Sequence, residues 1–153
     1  MEEEAYPNYY EFNPPENLSP CFYSSTLYLT NALSAFYFKY YIYSALFVVL
    51  VLTSLLYHWS KNIYALYLDK IPIVAIVLYG GYIFYQKLRN SEEIPIPYVV
   101  GIISSVLITI YLYYYGYVTQ EYCYNKNFSL AEKYHSFLHL ISCIGLNLIV
   151  FMP

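Results

Sequence analysis

Charged residues are scarce in this sequence. Lys, Arg, Asp and Glu make up 11% of its 153 residues, less than half the roughly 25% that a soluble domain carries. Too few groups can face water for an ordinary soluble globule, and 59% of the chain is hydrophobic. Lys and Arg together number seven, which excludes the basic surface that nucleic acid demands. The net charge of −3 comes largely from the first sixteen residues. That opening is acidic and rich in proline, without the basic start and apolar stretch of a secretory signal. No repeat, low-complexity linker or second domain is visible. Twenty-four tyrosines and nine phenylalanines exceed what an aromatic belt needs and carry no functional reading.

What the sequence does have is uncharged runs. They lie between Glu16 and Lys39, Lys39 and Lys61, Lys70 and Lys87, Glu93 and Glu121, and from Lys133 onward. A bilayer core of about 30 Å takes about 20 apolar residues per helix, so the expected fold is all-α: a polytopic transmembrane bundle of about five spans. Residues 1–20 read as an extramembrane acidic tail and residues 21–153 as the membrane domain. The spans fall at about Cys21–Phe38, Tyr40–His58, Ile63–Tyr85, Pro97–Val118 and Ala131–Met152. Pro20 suits the first helical position. Ser24, Ser25, Thr26, Thr30, Asn31 and Ser34 make span 1 the most polar, so it should face protein more than lipid. Pro72 is expected to kink span 3.

With five spans the tail, the 2–3 loop and the 4–5 loop share one membrane face. Lys and Arg are divided evenly enough to leave the positive-inside rule silent. Two N-x-[ST] sequons, at Asn17 and Asn127, lie on the tail face and lean it toward a lumen or the exterior. A secretory-pathway membrane such as endoplasmic reticulum or Golgi is the expected location. Cys21 and Cys123 fall on the same face, where a bridge is permitted but not dictated by spacing; Cys143 lies inside span 5.

The chain has three histidines and one aspartate, and all four fall inside spans or at their ends. An ionisable group within the bilayer costs roughly 2.5–3.5 kcal/mol on insertion scales and usually has a partner or a task. Topology puts His58, Asp69, His135 and His139 in one slab beside the tail face. His135 and His139 stand at i and i+4, on one helix face; Ser54 and His58 repeat that spacing, setting a hydroxyl one turn deeper. Three imidazoles leaving one open position match the ligand set of a catalytic zinc. Such a metal activates water and polarises an acyl carbonyl. Asp69 is then the base or water-orienting group, and Ser54 a donor to water or to a developing oxyanion. A site at this depth is reached most easily by lipid. Each residue also has a plainer role: interface hydrogen bonding for the histidines, helix packing for Ser54, an ion pair for Asp69. Lys70 reads as a snorkelling side chain on another face of its helix.

The segments SLLYHWSKNIYALYLDKIPI and HSFLHLISCIG resemble the alkaline ceramidases. More broadly they are similar to the CREST superfamily of membrane hydrolases, which includes progestin and adiponectin receptors, GPI-lipid processing proteins and the myomaker group. The resemblance spans roughly residues 21–151. It implies a zinc ion on His58, His135 and His139, with Ser54 and Asp69 completing the site, and hydrolysis of ceramide to sphingoid base and fatty acid. It also implies a luminal disulfide between Cys21 and Cys123. Alternatives within the same resemblance are a lipid-ester hydrolase and a non-catalytic lipid-sensing or membrane-remodelling protein. The family has seven spans, so one hairpin between span 3 and the histidine span is missing here. Lys70 replaces a usual acidic residue, and span 1 lacks the glutamate of the calcium site, so calcium dependence is not carried over.

Overall fold

A computed structural model describes residues 18–153. The acidic tail expected over residues 1–20, with the sequon residue Asn17, lies outside the described residues apart from its last three. The described chain is an all-α bundle: α1 (Pro20–Ser25), α2 (Tyr28–Tyr37), α3 (Tyr41–Ser60), α4 (Ile63–Asn90), α5 (Ile96–Ile110), a π-helical turn (Tyr111–Tyr115), α6 (Gly116–Thr119), a 3-10 turn (Tyr122–Tyr124) and α7 (Phe128–Phe151). Four stretches are long and apolar enough to cross a membrane: Tyr41–Ser60, Ile63–Asn90, Ile96–Thr119 and Phe128–Phe151. The protein is thus a multi-pass membrane protein by the length and composition of its helices.

The first expected span is divided. Thr26 and Leu27 keep right-handed helical dihedrals, but their amides bond three residues back, to Tyr23 and Ser24. The path is tightened at that joint rather than folded back on itself. Pro20 occupies the first turn of α1, with the Ser19 hydroxyl accepting from the Phe22 amide. Of the polar residues expected to face protein, Ser25 and Asn31 are buried and Ser24 and Ser34 half-buried, whereas Thr26 and Thr30 are exposed and return their hydroxyl protons to the carbonyls of Tyr23 and Leu27. That local bond lets a threonine face an apolar surround without an orphan donor.

Helix α3 is apolar all round, yet one stripe of it is buried: Tyr43, Phe47, Leu50, Val51, Ser54 and His58, the repeat of a single helical face. It ends at Lys61, whose left-handed φ of 51° turns the chain. Asn62 then caps α4 by accepting from the Tyr64 amide at 2.8 Å. This two-residue connection makes α3 and α4 an antiparallel pair. Pro72 lies inside α4 without ending it.

Helix α5 packs on α7, and α1 and α2 bridge α3 to α7. Close approach of α5 and α7 depends on Gly145, where a Cβ would collide with the side chain of Ser105; small residues serve membrane helix packing in this way. Two polar ties hold α7 at its ends. Near its start Lys61 Nζ meets Glu132 Oε1 at 2.6 Å. At its far end Lys87 of α4 donates to the carbonyl oxygens of Val150, at 2.7 Å, and Met152, which suits a cation to the negative end of a helix dipole. In contrast, α4 and α5 adjoin in sequence but hardly touch.

Candidate metal centre

The α3–α4 turn and the start of α7 meet at one end of the bundle, held there by the Lys61–Glu132 pair. His58 stands in the last turn of α3, and His135 and His139 occupy successive turns near the start of α7. The structure brings the three together: one ring nitrogen from each lies within 4.8 Å of the other two. The rings are steeply inclined, with interplanar angles of 87°, 68° and 80° and centroids 4.9–5.3 Å apart. They converge edge to edge instead of stacking. A point equidistant from nitrogens so spaced is at most about 2.8 Å from each, less than an ångström beyond a zinc–imidazole bond of about 2.0–2.1 Å. Small ring rotations would bring the three donors onto one ion, so the cluster could hold a metal. His58 and His139 are buried, each 5% exposed, whereas His135 is half-buried and marks the side from which the cluster can be approached.

Ser24 fixes the orientation of His139. Its Oγ lies 2.8 Å from His139 Nδ1 and 3.2 Å from the carbonyl oxygen of Cys21. When Ser24 gives its proton to that carbonyl, which only accepts, its Oγ accepts from Nδ1–H. The lone pair of His139 is thereby left on Nε2, free for a ligand bond. A histidine ligand held through its other nitrogen is the usual outer support of a metal site.

Asp69 is 4% exposed and faces α3, where its Oδ1 accepts from Thr53 Oγ1 at 3.2 Å; the Ser54 hydroxyl is also beside it. Ser54 is 2% exposed, 3.0 Å from Ser25 Oγ. Ser25 in turn donates to the Cys21 carbonyl at 2.8 Å, and Ser54 hydrogen-bonds the Asp69 carboxylate, to which a hydroxyl can only donate. Ser54 and Asp69 thus lie about one turn, ~5 Å along α3, deeper than His58.

Sequence reasoning missed Ser24 and Ser25 as members of this assembly. The one signal was the cluster of hydroxyl residues at the start of span 1. Lys70, expected to snorkel to water, instead donates from Nζ to Tyr113 Oη at 2.8 Å. Cys21 and Cys123 are free thiols. Burial pushes the Cys123 thiol up to about 12, so it stays protonated at neutral pH. Compared with protein-family models, curated proteins and solved structures, the chain matches none.

Proposed function

We propose that the protein is a zinc-dependent intramembrane lipid hydrolase acting on an acyl amide, with ceramide, implied by the resemblance to alkaline ceramidases, as its model substrate. The observation that carries this reading is the convergence of three imidazole nitrogens within 4.8 Å of one another; the buried Asp69, bonded to Thr53 of the same helix as His58, lies about one turn deeper. His58, His135 and His139 hold the metal. A bound zinc supplies a Lewis acid and a nucleophilic water at neutral pH. Asp69, positioned by Thr53 at Oδ1, takes a proton from the attacking water and hands it to the departing nitrogen. A C–O bond forms, the C–N bond breaks, and the products are a carboxylate and an amine. Ser54, bonded to Asp69, helps orient that water. The buried Asp69 favours catalysis over a purely structural centre, because three imidazoles need no carboxylate to hold a metal. The same residues serve an ester with an alcohol as leaving group. The sequons on the tail face favour a site turned toward a lumen or the exterior.

Purified protein incubated with a mixed lipid extract tests the reading, with released fatty acids identified by mass spectrometry. Turnover is expected to vanish when a chelator strips the metal and to return when zinc is restored. Full zinc occupancy without loss of any lipid would overturn the assignment.

Ser24 supplies a second expected outcome. Ser24→Ala removes the acceptor that holds His139 Nδ1–H, and zinc affinity read by chelator competition falls about 10–100-fold, as for other outer-shell losses. Ser24→Thr keeps the hydroxyl and restores affinity. Equal affinity in all three proteins would show that Ser24 does not position the imidazole.

A further inference from the structure

Lys70 and Tyr113 face each other across the seam where α4 and α5 hardly pack. Tyr113 is carried there by the π-helical turn Tyr111–Tyr115, a local departure that recurs at functional sites. Its hydroxyl accepts from Lys70 Nζ at 2.8 Å, and its ring centroid is 4.8 Å from the same ammonium. On its other side the Tyr113 ring stands edge-on to His135, with centroids 6.4 Å apart. The pair is therefore adjacent to the histidine cluster, on the side where His135 is half-buried.

The ammonium is incompletely satisfied. Lys has three N–H donors; among the described residues Lys70 bonds one phenol, and the adjacent Asp69 carboxylate acts on it electrostatically without forming an ion pair, the one ion pair there being Lys61–Glu132. Lys70 is half-buried within the span Ile63–Asn90. A cation at that depth calls for a counter-charge, and its two remaining donors are free to meet one. Ile71, Val74 and Leu78 on α4 and Ile103, Val106 and Leu107 on α5 are exposed, so both helices offer apolar surface that suits acyl chains. Anion and acyl chain are the two halves of one ligand.

We propose that the α4–α5 seam admits an acyl lipid to the histidine cluster and that Lys70, held by Tyr113, binds a phosphate on its headgroup. This deepens the hydrolase reading, on which its catalytic meaning rests, by naming the substrate class: an acyl lipid whose phosphate lies a few bonds from the cleaved carbonyl, preferred over its uncharged counterpart.

The test uses the full chain in neutral detergent, titrated with dioleoyl phosphatidic acid, with dioleoylglycerol, which lacks only the phosphate, and with inorganic phosphate. The unfolding midpoint as a function of ligand concentration yields apparent affinities, and zinc content is measured on the same samples. Phosphatidic acid is expected to stabilise the wild type and dioleoylglycerol to do so far less. Lys70→Gln should weaken phosphatidic acid binding about tenfold or more, the equivalent of one charge-assisted hydrogen bond. Lys133→Gln, an exposed charge near the start of α7, should leave it unchanged. If Lys70→Gln does not fold, Lys70→Arg keeps the affinity and Tyr113→Phe lowers it. Equal binding by wild type and Lys70→Gln, or by wild type and both alternative variants, overturns the proposal, as does equal binding of the two lipids. An equal response to inorganic phosphate overturns the lipid assignment. Zinc present without lipid discrimination sinks this proposal alone; discrimination without zinc leaves the headgroup subsite standing and sinks the hydrolase reading.

Discussion

Asp69→Asn is expected to retain a full complement of zinc and to lose lipid hydrolysis by about 10²–10⁴-fold, the contribution of a positioned proton-transfer group. Asparagine has the shape of aspartate, and its carbonyl oxygen can still accept from Thr53 Oγ1, so the bond linking α4 to α3 survives. What it cannot do is take a proton from water and deliver it to a leaving nitrogen. The three imidazoles come from α3 and α7, not from α4, and the metal set is untouched. Zinc analysis and fatty-acid release on one preparation decide the matter. Wild-type turnover in the variant would remove Asp69 from the chemistry.

His139→Ala acts on the other half of the site. The side chain is 5% exposed, bonded to Ser24 and edge-on to the Tyr28 ring at 5.6 Å. Its loss leaves two imidazoles where a catalytic zinc takes three protein ligands. Bound zinc should fall from about one ion per chain to near none, and hydrolysis with it. Buried truncation also leaves a void, so metal-free wild type and variant are compared by thermal unfolding. A folded variant without zinc supports the ligand role, whereas retained stoichiometric zinc refutes it.

Much of this arrangement could be read before any coordinates. His135 and His139 announce themselves by their i, i+4 spacing, and counting the spans places His58 and Asp69 beside them. The helices are equally plain, because uncharged runs of about twenty residues leave the backbone few other ways to satisfy its hydrogen bonds in lipid. Asn62 and Asn127 mark the true starts of α4 and α7 through their side-chain caps, a signal that sets α7 to begin at Phe128 rather than Ala131. Ser24 was not legible, because its bond to His139 joins residues 115 apart and nothing local distinguishes it from the hydroxyls around it. The partner of Lys70 was hidden for the same reason: a helix face shows where a side chain starts, not what another helix brings to meet it. Nor does YLYYY contain a residue that dictates a π-helical turn.

That turn has a consequence for how the span Ile96–Thr119 can vary. A wider coil accommodates a surplus residue locally, so the segments on either side are phased independently: Ile96–Ile110 answers to α7, while Gly116–Thr119 answers to the loop beyond. Shortening Tyr111–Tyr115 by one position would restore regular pitch and rotate one segment against the other by about 100°. Tyr113 would then swing away from Lys70 with no change in the length of chain spanning lipid that a hydropathy profile could detect.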